Sequence, residues 1–263
     1  MGALAGKRVV NTRALHQAEE FDALLRANGA IPISFPCIEI QPVDYPAKLD
    51  RSLVELCGGK FDWLAVTSAN AVHVVAQRLS VLELKFPEPP QFATAVVGPT
   101  TASATWQELG LCAETISESF RAFELGAAMP IAEGQRVLVP QSEIASPDLA
   151  NALKAKGAIV TTVTAYRTVV GSGGVDLPAL LALHEVDAVV FASSSALSGC
   201  ATRLGDDLRL LDGIPVVCIG PSTAQSALRR GINSLIVPAE HTLNGVMDAL
   251  VQEFSALSKG IAQ

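Results

Sequence analysis

Two parallel-sheet α/β domains are what this sequence predicts, and three observations predict them. The chain repeats itself, each half alternates short apolar runs with helical patterns, and its apolar material is aliphatic. Hydrophobic residues make up 49% of the 263, aromatics 5% and charged residues 17%. Ala, Leu and Val in that proportion suit strands buried on both faces beneath helices. The length alone allows either one large core or two modest ones.

The repeat is read from three ordered matches. Gly6-Lys7-Arg8-Val9-Val10, followed by Leu24-Leu25-Arg26-Ala27-Asn28-Gly29-Ala30-Ile31, returns as Gly134-Gln135-Arg136-Val137-Leu138 and Ala152-Leu153-Lys154-Ala155-Lys156-Gly157-Ala158-Ile159. The run from Asp62 to Val72 returns from Asp187 to Leu197, and Val97-Gly98-Pro99-Thr100-Thr101-Ala102 returns as Ile219-Gly220-Pro221-Ser222-Thr223-Ala224. The offset drifts only slightly along the chain, which means two similar halves.

The elements follow from periodicity. Strand 7–12 leads to helix 15–28, which Gly29 ends, and strand 31–34 comes next. Strand 62–67 precedes helix 69–79, strand 92–97 precedes helix 100–109 with Gly110 beyond it, and a weaker strand lies near 113–116. In the second half, strand 136–140, helix 147–156 ended by Gly157, and strand 159–163 echo the opening. Strand 187–191, helix 194–204, strand 215–219, helix 222–230 ended by Gly231, a weak strand near 234–237 and helix 243–254 complete it. A glycine just past a helix adopts the left-handed cap without a Cβ penalty. This alternation predicts parallel sheets with helices on both faces. Two segments break it: Pro36 to Pro42 and Thr164 to Val170 each follow a strand directly and read as more strand, at matching points of the halves. They suggest a two-stranded connector between domains.

Composition limits the function. A net charge of -7 and a pI near 5.1 give no basic field for nucleic acid. An anionic small substrate would have to be held by local donors. The five cysteines Cys37, Cys57, Cys112, Cys200 and Cys218 show neither a Cys-x-x-Cys nor a zinc spacing, and read as small buried residues of a reduced, cytoplasmic compartment. No secretory signal and no membrane-length apolar run is apparent.

Candidate binding residues sit beyond the carboxyl ends of the strands, where open α/β sheets take their ligands and helix N-termini present free N–H groups. These loops carry Thr12 and Arg13, Ser68, Ala69 and Asn70, Thr100 and Thr101, Ser142, Ser193, Ser194 and Ser195, and Ser222 and Thr223. Any one hydroxyl there is explained as a helix cap. As a set, paired loops from two domains facing one cleft would hold many carboxylates. Gly98-Pro99 and Gly220-Pro221 are not phosphate loops, so no nucleotide is indicated. His16, His73, His184 and His241 are scattered, and Asp62 and Asp187 lie at the amino ends as turn residues. Arg13 follows the first strand at the functional edge, and Arg167 lies beside Tyr166 on a connector strand; both also fit ordinary surface roles.

At this point the pattern resembles the uroporphyrinogen-III synthase family. The resemblance rests on Val10-Asn11-Thr12-Arg13 with Gln17-Ala18, Gly29-Ala30, Pro36-x-Ile38-Glu39-Ile40, the runs Val66 to Val72 and Val97 to Ala102, Ala165-Tyr166-Arg167-Thr168, Phe191 to Ser195, Ile219 to Ala224 and Thr242-x-x-Gly245. It spans about residues 7 to 254, and order and spacing make it specific. Asn11 and the serine run 193–195 depart from the usual pattern.

The resemblance implies two flavodoxin-like domains joined by a two-stranded β-ladder. One domain would be 1–35 with 172–263, the other 43–162, and the ladder 36–42 with 163–171. It implies a lyase that closes hydroxymethylbilane, a linear tetrapyrrole, with loss of the terminal hydroxyl, a spiro intermediate and inversion of ring D. No metal or cofactor is implied. The expected protein is a cytoplasmic monomer in haem biosynthesis, in transient contact with the preceding pathway enzyme, and Tyr166 is the expected catalytic residue. A non-catalytic two-domain binding or sensor module and a nucleotide-using transferase are the competing readings.

Overall fold

A computed structural model describes residues 2–117 and 122–260. The chain runs β1 (Arg8–Asn11), α1 (Leu15–Ala27), β2 (Ile31–Ser34), β3 (Ile38–Pro42), α2 (Ala47–Cys57), β4 (Trp63–Val66), α3 (Ala69–Val81), β5 (Ala93–Val97), α4 (Gly98–Leu109), β6 (Thr115–Ser117) and α5 (Ala122–Ala128). It continues through β7 (Arg136–Ser142), α6 (Asp148–Ala155), β8 (Ile159–Val170), α7 (Leu177–Ala182), β9 (Ala188–Phe191), α8 (Ser194–Arg203), β10 (Val216–Cys218), α9 (Pro221–Arg229), β11 (Leu235–Ile236) and α10 (Leu243–Gly260). The four glycines expected to end helices, Gly29, Gly110, Gly157 and Gly231, all have positive φ.

The chain divides into two compact units, 1–39 with 169–263, and 40–168. One sheet has the order β11-β10-β9-β1-β2 and the other β3-β8-β7-β4-β5-β6. Pairing is parallel from β11 through to β2, and likewise from β8 through β7, β4 and β5 to β6.

The two orders are the same once the repeat is applied. β1 and β7 are equivalent by sequence, as are β2 and β8, β9 and β4, and β10 and β5. Even the register is shared, with Arg8 opposite Ile31 and Arg136 opposite Ile159. Each unit therefore joins the opening strands of one repeat to the closing strands of the other. The chain passes between units inside β3 and inside β8, which are neighbours in the second sheet.

Burial follows the pleat. In β9, Val189 and Phe191 enter one core cluster with Val10 and Leu197, while Ala188 and Val190 enter another with Val9, Phe21 and Leu250. In β4, Leu64 and Val66 pack with Leu53 and Val75, and Trp63 and Ala65 pack with Leu125 and Leu153. Strands covered on both faces need continuous apolar runs, which is why these read without polar alternation. The amino ends are tied by the two aspartates taken as turn residues. Asp187 accepts from the Arg8 backbone N–H at 2.7 Å and Asp62 from that of Arg136 at 2.7 Å.

Residues 159–163 and 164–170, read as a strand followed directly by more strand, form one continuous strand, paired with β7 as far as Ser142 across a register shift at Gln141/Ser142. One expectation is corrected. The helix expected at 100–109 begins at Gly98: Gly98 takes a φ of 75°, which lets the chain turn from strand to helix with no intervening loop.

Candidate functional site

Parallel pairing brings the expected residues to the carboxyl edge of their own sheet, in two groups. In the first unit these are Thr12 and Arg13 after β1, Ser193, Ser194 and Ser195 after β9, and Ser222 and Thr223 after β10. In the second they are Ser68, Ala69 and Asn70 after β4, Thr100 and Thr101 after β5, Ser142 at the end of β7, and Tyr166 within β8.

The caps form as their residue types require. Ser68 Oγ accepts from the Ala71 N–H at 3.2 Å and Ser193 Oγ from that of Ala196 at 3.0 Å. Each is the N-cap of its helix, extended in backbone, at equivalent points of the repeat. Capping satisfies one of the backbone N–H groups that a helix start presents, and a helix start also favours an anion.

The hydroxyls divide by accessibility. Thr12 is fully buried and donates to the Val190 carbonyl at 2.6 Å, which stitches β1 to β9. Thr101 and Thr223 are buried too. Ser194 donates to the Ser222 carbonyl at 3.3 Å and receives from Ser226 at 3.2 Å, joining the starts of α8 and α9. Ser193 and Ser195 lie 2.9 Å apart, Ser142 is 3.5 Å from Thr168, and Thr100 and Ser222 are exposed.

Tyr166 is 6% exposed and packs in the core with Leu64, Val66 and Val163. Its hydroxyl lies 3.0 Å from Ser68 Oγ. A register shift at Gln141/Ser142 sets Tyr166 opposite Ser142, and so places the phenol at the strand-end edge. The two hydroxyls hold two protons and share one bond, so one O–H remains to donate elsewhere. Neighbouring Arg167 pairs with Asp44 at 2.9 Å, and its Nε finds no partner among the described residues.

The Arg13 side chain is only 18% exposed, and its guanidinium makes a long contact of 3.4 Å to Glu20. Its Nε is buried and has no hydrogen-bond partner among the described residues. Burial lowers its pKa and Glu20 partly offsets this; an arginine is nevertheless charged at neutral pH. It is a cation with unspent donors at a carboxyl edge.

One further residue was not singled out from sequence. The His241 ring lies 3.4 Å from where a Cβ on Gly220 would be, at the start of α9, and Thr242 beside it caps α10 by accepting from Gly245 at 3.0 Å. The Thr242-x-x-Gly245 spacing was the available signal. A cavity of about 630 Å³ lies at the opposite, amino edge of the first sheet. It is lined by Asp206, Asp207 and Asp212 with Arg209 and Arg230, and Asp207 already engages Arg209 through both its oxygens. Among the described residues no helix is long and apolar enough to cross a membrane.

A family model described as uroporphyrinogen-III synthase HemD matches residues 19–248. The chain belongs to the uroporphyrinogen-III synthase family. It is 34% identical over 258 residues to the uroporphyrinogen-III synthase of Synechococcus elongatus, covering 95% of this chain and 96% of that one. It is 26% identical to the porphyrin biosynthesis protein HemD of Ruminiclostridium josui, over 95% of this chain and 49% of that one. The crystal structure of a mutant uroporphyrinogen III synthase from Thermus thermophilus shares the fold, with a TM-score of 0.67 at 21% identity over 94% of this chain and 100% of that one. Membership makes this family member a cyclising hydro-lyase of haem biosynthesis, and the non-catalytic binding module is not favoured.

Proposed function

We propose that the chain closes hydroxymethylbilane to uroporphyrinogen III by folding the substrate against dispersed donors rather than by attacking it. The observation that carries this reading is the row of hydroxyl-bearing helix starts along the carboxyl edge of each sheet. Backbone N–H groups at the starts of α3, α4, α8 and α9 bind substrate carboxylates, and the Arg13 guanidinium takes another.

The chemistry asks little of a nucleophile. A proton given to the terminal hydroxyl lets it leave as water while a pyrrole nitrogen lone pair forms the azafulvene. The substituted carbon of ring D attacks the freed methylene, and the spiro intermediate fragments and recloses inverted. Tyr166, bonded to Ser68, supplies the proton, and the phenol recovers one when the last ring loses its extra hydrogen. Holding the flexible chain in one reactive geometry is worth up to ~7–11 kcal/mol. We assign the protein to the cytoplasm as a monomer, where five free cysteines persist unpaired.

The test is an assay that resolves the isomers. Purified protein with hydroxymethylbilane yields isomer III faster than buffer yields isomer I, and tricarboxylates compete. Formation of isomer I alone at the uncatalysed rate refutes the proposal.

A further inference from the structure

We infer that Asn11 and Asp22 form a clamp that positions Arg13 for its carboxylate, a role that rests on the substrate-binding reading of Arg13 given above. Asn11 ends β1 and is 2% exposed, an unusual place for an amide unless all its polar atoms are used. They are used on both sides of the β1–α1 turn. Its Nδ2 donates to the Ala18 carbonyl at 3.1 Å and to Asp22 Oδ1 at 2.8 Å. Its Oδ1 accepts from the Arg13 backbone N–H at 3.1 Å.

Asp22 sits one turn further along α1 and is 8% exposed. Its other oxygen lies 3.8 Å from the Arg26 guanidinium, so the carboxylate is held from two directions. The bond between amide and carboxylate is charge-assisted and buried, which makes it the strong link of the turn. Through Asn11 it fixes the backbone of Arg13. The long side chain then leaves a defined point, and its orphaned Nε and partly spent guanidinium are presented in one orientation.

Asn11 was notable in the sequence as a departure from the usual small or hydroxyl residue, and a smaller side chain could not span to α1. Asn11 and Asp22 touch no substrate in this reading. They act through Arg13, and their loss costs binding more than turnover.

The test is a kinetic cycle on the purified protein with hydroxymethylbilane. Arg13→Ala raises KM about tenfold, with kcat within about twofold. Asn11→Leu raises KM comparably, and Asn11→Leu combined with Arg13→Ala raises it no further than Arg13→Ala alone. Asp22→Ala, which leaves the Asn11 bond to Ala18, raises KM as well, whereas Asp22→Asn keeps an acceptor and restores it. If Asn11→Leu does not fold, the Asp22 pair carries the same comparison. A KM that stays at the wild-type value in Asn11→Leu and Asp22→Ala, or that rises additively with Arg13→Ala, overturns the clamp and leaves the Arg13 reading intact. An unchanged KM in Arg13→Ala itself overturns the reading of Arg13 and the clamp with it.

Discussion

Replacing Tyr166 with Phe is the most informative single change, because its structural and chemical costs are separable. The ring stays packed among Leu64, Val66, Ala71 and Val163, and only the oxygen 3.0 Å from Ser68 is lost. Ser68 keeps its bond from Ala71 and is half-buried, so water can replace the phenol. One neutral hydrogen bond of that kind is worth about 1 kcal/mol. For a protein of this size that shifts Tm by about 2–4 °C. Loss of a general acid instead lowers turnover ~10²–10⁴-fold, which is about 2.7–5.5 kcal/mol in the barrier. The chemical cost therefore exceeds the structural one severalfold, and folded-fraction losses cannot imitate it. Turnover and isomer ratio are read by the isomer-resolved assay and Tm by calorimetry, with substrate affinity expected near wild type. Wild-type turnover and isomer ratio in Tyr166→Phe would show that the proton comes from elsewhere, such as ordered water or the substrate.

The remaining expectations address caps, packing and thiols. Ser68→Ala and Ser194→Ala each reduce activity only partly, since backbone donors survive, and complete loss of turnover in either with folding intact would sink the dispersed site. Ser193→Ala removes the α8 cap and costs about 1 kcal/mol, measurable by urea unfolding. Gly199→Ala drives a Cβ into the Cys37 carbonyl oxygen, so backbone must move, and the variant is expected to lose more than about 3 kcal/mol or fail to fold; wild-type Tm would contradict that contact. Contrary to the expectation that all five cysteines are buried, Cys112 is exposed and Cys57 half-buried, whereas burial pushes Cys218 up to about 12, and burial with the adjoining Cys200 thiol raises Cys37 further. A thiol reagent at pH 8 should label Cys112 first and reach Cys37, Cys200 and Cys218 only on denaturation. Because the folded state retains the Cys218 proton longer than the unfolded state does, its contribution to stability is present below pH ~8.5 and fades above it, toward about 12. Cys218→Ala should flatten that alkaline loss of Tm relative to wild type.

The fold was legible where local chemistry and repetition coincide. Gly29 and Gly157 mark equivalent helix ends, and Asp62 and Asp187 bond equivalent strand N–H groups, so their matching positions revealed two like halves. Ser68 and Ser193 were legible as caps because a cap is made within one turn. What sequence could not supply was anything built across long separations. Tyr166 meets Ser68 only because a register shift at Ser142 advances β8 along β7, and no residue type announces such a shift. Thr12 looked like an available donor, yet the carbonyl of a strand neighbour 178 residues away claims its hydroxyl. His241 beside Gly220 depends on the packing of one loop over another strand's end. The Asn11 clamp was half visible: the residue stood out, but its partner Asp22 belongs to the helical pattern and carries no mark of its own.

The exchange of strands between the repeats has a consequence for how the protein is made. β1 and β2 emerge from the ribosome first, but their sheet neighbour β9 begins only at Ala188. Every strand of the other sheet is synthesised in between. At ~5–20 residues per second the wait is on the order of ten seconds. Throughout it Val9, Val10 and Phe21, all later fully buried, have only half a sheet to cover them. The segment 40–168 is uninterrupted and can complete its fold during translation, while the first unit cannot close until the C-terminal third has arrived. The earliest residues of this chain are therefore among the last to find their places, and premature termination between β8 and β9 would release the second unit tethered to an N-terminal fragment that lacks β9.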